Sequence, residues 1–101
     1  LAPLEVTAVT ARVDRYLAGA SAGASVGAVV LDPPRAGAGR AVVDALHTLA
    51  PEAIAYVACD PVALARDLGT FRAHGWTVKT RRGFDLFPHS HHCEVVALLT
   101  R

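Results

Sequence analysis

Two segments constrain this chain more than any other: residues 26–32, VGAVVLD, and residues 53–59, AIAYVAC. Each is a continuous apolar run, each stops at or beside an aspartate, and each meets proline within two residues of its end. Strands buried on both faces of a parallel sheet read this way. Proline ends the ladder because it has no N–H to give. Between the runs, residues 41–49 (AVVDALHTL) carry Val42, Val43, Leu46 and Leu49 as a helical stripe, closed by Pro51. After the second run Asp60-Pro61 opens another helix, since Asp caps orphan amides and Pro fits the first helical position. Val62, Leu64, Ala65, Leu68 and Phe71 are read as its apolar face, and Gly75 as the left-handed residue that closes it.

Around this strand–helix–strand–helix core lie weaker signals. Residues 4–10 (LEVTAVT) predict a short strand, residues 12–17 (RVDRYL) a helical segment, and residues 18–27 (AGASAGASVG) a small-residue loop. Residues 76–82 (WTVKTRR) alternate, and residues 94–100 (EVVALLT) read as a closing strand. The fold class is therefore α/β with a mostly parallel sheet. In such sheets ligands sit beyond the carboxyl ends of the strands. Asp32, Cys59-Asp60 and the long loop before Glu94 (GFDLFPHSHHC) all arrive at that edge.

Hydrophobic residues make up 52% of the chain and charged ones 19%, so it is built to bury surface. A net charge of +1 is not that of a dedicated polyanion binder, so any RNA contact must come from a local patch or from sequence outside these 101 residues. Two cysteines make no disulfide framework, which favours reduced thiols and the cytoplasm. No run approaches the roughly 18 apolar residues of a membrane span. The chain starts at Leu1 inside a periodic segment, and it is read as one partial domain, residues 1–101, from the C-terminal part of something longer.

The chemistry-bearing residues each admit a bland alternative. Cys59 is a small residue at a strand end, and free Cys is commonly buried filling. Equally, the helix N-terminus that follows it, with its dipole and free amides, favours a thiolate nucleophile. Asp32 either caps the next helix or presents a carboxylate to a ligand, and without a Gly-rich Lys/Ser loop it does not suit a phosphate-bound Mg²⁺. Glu94, at the start of an apolar strand, suits a proton acceptor. His89, His91, His92, Cys93 and Glu94 invite a metal reading, but neighbours on an extended chain point to opposite sides and no second ligand pair is spaced for zinc. No metal is expected.

Taken in order, LDPPR.G, YVACDP..LARDL and DLFP.S.H.E...L make the chain resemble the SAM-dependent RNA uracil-5-methyltransferases over residues 26–99. The resemblance implies the C-terminal half of a Rossmann-like methyltransferase sheet with an antiparallel closing strand, its N-terminal cofactor-loop half absent. It implies S-adenosylmethionine as cofactor of the full-length parent and a uridine of tRNA or rRNA as substrate. Cys59 then matches the nucleophile, Glu94 the base and Asp32 the carboxylate associated with the cofactor. Arg35 is implied as a contact to RNA phosphate or to Asp32, and Phe87 or His92 as lining of the base pocket. Where the family offers Asp or Asn near the adenine, this chain has Arg12.

The isolated chain is expected to be inactive, because the glycine-rich SAM loop is missing. Two other readings compete. One is another SAM-dependent pyrimidine methyltransferase, such as a 5-methylcytosine enzyme. The other is a non-catalytic methyltransferase-like module for binding or dimerisation. With its neighbouring strands absent, the strand at residues 26–32 should expose an edge through which copies of the fragment self-associate.

Overall fold

The computed structural model describes residues 6–19, 26–85 and 93–101. Along the chain run helix α1 (Val13–Ala18), strand β1 (Ala28–Leu31), helix α2 (Arg40–Leu49), strand β2 (Ala53–Ala58), helix α3 (Pro61–Ala73), and strands β3 (Thr77–Asp85) and β4 (Cys93–Thr100). They form one sheet in the order β1-β2-β4-β3. β1 pairs parallel to β2, and β4 lies antiparallel between β2 and β3. Three strands thus run the same way and β4 alone opposes them, as the α/β reading of the sequence anticipates.

The period of each element decides where the core sits. Ile54, Tyr56 and Ala58 alternate along β2 on its buried face, joined by Leu31 from β1 and Ala97 and Leu99 from β4. Val42, Val43 and Leu46 of α2 and Leu64, Leu68 and Phe71 of α3 cover that face. Full burial of side chains this size stabilises by about 1.5–3 kcal/mol each. The two apolar runs are not covered on both faces by the described residues. Val30 is 74% exposed, and Leu98 is exposed while Ala55, Val57 and Val96 are half-buried. A continuous apolar run reports what a strand can tolerate on its second face, and here no described element packs against that face.

Local chemistry fixes the helix ends. Gly75 takes φ +91°, its N–H donates to Arg72 O, and Trp76 N–H donates to Phe71 O. This is the paired closure of a Schellman motif. At the end of α2 the same left-handed turn falls to Ala50, at φ 56°. Residues 6–10 are exposed and form no strand. β-Branched residues favour a strand only where a partner ladder and a packed face exist, and among the described residues neither lies alongside them.

Candidate active site

Because β1 and β2 are parallel and β4 is reversed, the ends of the first two and the start of the third meet at one sheet edge. Leu31 is in register with Tyr56, and Ala58 with Val95. Asp32 follows Leu31, Cys59 follows Ala58, and Glu94 precedes Val95, so all three stand at that edge, Cys59 and Glu94 each one residue beyond the Ala58–Val95 pair. Cys59 is a free, exposed cysteine, and Glu94 is half-buried. Residues 35 and 27 positions apart in sequence are brought to the Cys59 corner by topology alone. Phe87 and His92, with His89 and His91, lie outside the described residues. Among the described residues no group of three or more His, Cys, Asp or Glu could hold a metal ion.

The start of α3 is capped by its own aspartate. Asp60 Oδ1 accepts from Val62 N at 2.9 Å and Ala63 N at 3.3 Å, while Leu64 N donates to Asp60 O at 3.0 Å. Pro61 has no N–H. The first-turn amides that the sequence offers to Cys59 are therefore taken by Asp60, which corrects that part of the argument. What remains is position: Cys59 is the last residue before a helix whose start is pinned in place.

Asp32 does not cap α2. The N-cap there is Gly39, at φ 84°, with no side-chain cap. Between them Gly37 N donates to Pro34 O at 2.8 Å, closing a turn with Arg35 and Ala36 at its tip, both exposed. The two amides leading into α2 are satisfied from another helix. Asp67 of α3, 1% exposed, accepts from Ala38 N at 2.7 Å and Gly39 N at 3.3 Å. It also accepts from Tyr56 Oη at 2.5 Å, and Arg66 Nη2 lies 3.6 Å from its other oxygen. Arg66 in turn donates to Ala36 O. A buried carboxylate is tolerable only when so satisfied. An anion at the start of α2 also opposes the helix dipole favourably.

The fit is close enough to dictate a glycine. A Cβ on Gly37 would lie 2.7 Å from both Arg66 Nη2 and Asp67 Oδ2. Tyr56 responds to the same packing. Burial, then the Asp67 hydrogen bond and charge, push its phenol well above its ordinary range.

Asp67 is the residue that sequence reasoning missed. The apolar face of α3 consists of Ala63, Leu64, Leu68 and Phe71, with Asp67 inside the stripe. Leu64, Leu68 and Phe71 stand on the face read from the sequence, whereas Val62, 78% exposed, and Ala65 point outward. The available signal was the charge at the i+3 position of Leu64, between two apolar turns, where an acid needs buried partners.

On the other side of the loop a cleft of about 630 Å³ opens along β1. Asp32, Pro33, Gly37 and Gly39 line its loop wall, Arg12 and Leu17 the α1 side, and Val29, Leu31 and Val42 its apolar floor. Arg12 is turned to Asp14, 3.1 Å away. Among the described residues no helix is long and apolar enough to cross a membrane.

Comparison with known proteins agrees with this fold. The sequence profile of the tRNA (uracil-5-)-methyltransferase family matches residues 14–101. An uncharacterized RNA methyltransferase of Streptomyces avermitilis is 63% identical over 71 residues, which are 70% of this chain and 16% of that protein. An uncharacterized RNA methyltransferase of Thermotoga maritima is 41% identical over 73 residues, 72% of this chain and 17% of that protein. The crystal structure of Pyrococcus abyssi tRNA (uracil-54, C5)-methyltransferase in complex with S-adenosyl-L-homocysteine superposes with a TM-score of 0.66 at 36% identity, covering 80% of this chain and 21% of that one. The chain spans about a sixth of the length of the curated relatives it matches.

Proposed function

Because this chain belongs to the tRNA (uracil-5-)-methyltransferase family, we propose that it is part of the catalytic domain of a longer RNA methyltransferase that methylates C5 of a uridine through a covalent cysteine adduct. The observation that carries this reading is the topology: Asp32 and Cys59 follow the ends of the parallel strands β1 and β2, and Glu94 stands at the start of antiparallel β4, at the same sheet edge. The substrate is a uridine of tRNA or rRNA, and the cytoplasm is where such RNA is met. S-adenosylmethionine is the methyl donor of the full-length parent.

The cleft beside Asp32 fits part of such a ligand. Its volume lies in the range of small-molecule sites, its floor is apolar, and its rim carries a carboxylate suited to a cationic group. Asp32 is the residue that would hold the cofactor here, with Gly37 and Gly39 forming the wall beside it. Bound S-adenosylmethionine supplies an electrophilic methyl group.

The chain's own residues do the rest. Uracil C5 is a poor nucleophile, so Cys59 Sγ, as thiolate, forms a bond to C6 and drives the C5=C6 electron pair onto C5. Once C5 carries the methyl group, the Glu94 carboxylate removes the remaining C5 proton. The electron pair left behind re-forms C5=C6 and expels Cys59 as thiolate. Both atoms of the pyrimidine edge must be reached at once, which requires the base to leave its stack. Arg35, at the exposed tip of its turn, is assigned in this reading to RNA phosphate.

Among the described residues the outer edge of β1 is unpaired, and such an edge favours self-association. Incubating the full-length parent with RNA transcripts and isotope-labelled S-adenosylmethionine tests the reading. Labelled 5-methyluridine is expected on mass spectrometry of the digested RNA. Label on cytosine C5 or no transfer at all would reject it.

A further inference from the structure

We propose that Asp67 is a positioning residue for the candidate site, setting the cofactor wall of the cleft relative to Cys59 from behind. The inference rests on the methyltransferase reading above. Asp67 does not line the cleft; the loop it grips does. Its two carboxylate oxygens hold the consecutive amides of Ala38 and Gly39, and its neighbour Arg66 holds Ala36 O, so three of the four residues 36–39 are tied to α3. Gly37, packed between them, has no room for a side chain and adopts φ 87°. The loop therefore has one seat, and the seat is built on the helix that starts immediately after Cys59.

Asp60, at the start of α3, and Asp67, at its middle, lie on one face. Asp60, the N-cap, and Asp67 are seven residues apart, close to two turns of about 3.6 residues. Asp60 fixes where the helix begins and hence where Cys59 stops; Asp67 fixes where residues 36–39 rest. The strand-end carboxylate Asp32, at the other end of the same loop, is thereby placed at a set distance from the nucleophile. Outer partners of this kind orient the groups that touch the ligand.

The test uses the full-length parent with two substitutions and two readouts. In Asp67→Ala, backbone exchange at Ala38 and Gly39 should accelerate, and the KM for S-adenosylmethionine should rise about tenfold or more while kcat changes by less than about threefold. Asp67→Asn, which keeps one acceptor oxygen for the amides, should fall between wild type and Asp67→Ala in both. A folded Asp67→Ala enzyme with wild-type KM, or one whose kcat falls while KM holds, overturns the proposal. If Asp67→Ala does not fold, Asp67→Asn decides: raised KM with faster exchange at the two amides supports it, and unchanged KM overturns it. A wild-type parent that transfers no methyl group counts against the methyltransferase reading alone. In that case unchanged exchange at Ala38 and Gly39 in the variants still overturns the clasp, and accelerated exchange supports it.

Discussion

Tyr56 on β2 donates its phenolic proton to Asp67 on α3 across 2.5 Å, and both side chains are sealed from solvent. Strand, helix and the loop ahead of α2 are joined at that one carboxylate. Tyr56→Phe keeps the ring and removes the donor, leaving a buried anion with fewer partners. The expected loss is about 1.5–3 kcal/mol, the range for hydrogen bonds to charged groups, read from urea unfolding.

The same pair predicts an alkaline instability. The folded phenol is pushed up by burial first and by Asp67 second, from an ordinary value of 10.0. Below pH 10 it is neutral whether folded or unfolded, so its contribution is fully present. Above that, the unfolded chain ionises while the native phenol resists, and stability falls as pH rises. Tyr56→Phe should remove this part of the slope between about pH 10 and 12. An identical slope in the variant would contradict the buried-phenol account.

For the chemistry, Cys59→Ala in the full-length parent should lower methyl transfer on the order of a thousandfold or more and abolish the protein–RNA adduct. Glu94→Gln should behave differently. Addition and methylation proceed, proton removal stalls, and the conjugate accumulates on mass spectrometry. Persistent turnover in Cys59→Ala would place the nucleophile elsewhere.

Ala50 closes α2 in the left-handed region at φ 56°, where a Cβ is strained. Glycine relieves that strain and gives back part of the gain as unfolded-state entropy. Ala50→Gly should therefore stabilise by roughly 0.5–1 kcal/mol, measured as a rise in the unfolding midpoint. A lower midpoint would mean that the methyl group packs more than it strains.

The outer edge of β1 pairs with nothing among the described residues, and Val30 on it is 74% exposed. An apolar strand edge is a template for another chain. Sedimentation of the 101-residue chain should show dimers or larger species at micromolar concentration. A stable monomer at high concentration with β1 unpaired would reject this.

The strands, the helix starts and the polar residues at strand ends were legible in the sequence because each rests on local physics. Apolar runs stop at proline, Asp-Pro opens α3, and Gly75 ends it, all within a few residues of the atoms responsible. Parallel strands then require their ends to share an edge, so Asp32 and Cys59 were bound to meet once the α/β pattern was recognised. What residues 6–10 would do was not legible, since a strand needs a partner that propensity does not supply. Nor was the cap of α2. The sequence left Asp32, seven residues before Gly39, as one alternative, and the fold sets Asp67, 28 residues after it, against the Gly39 amide. An acid inside an apolar stripe announces only that it must be satisfied. Which amides satisfy it is decided when α2 and α3 pack side by side on the sheet, because only that packing brings the two unpaired donors and the buried charge within hydrogen-bonding distance.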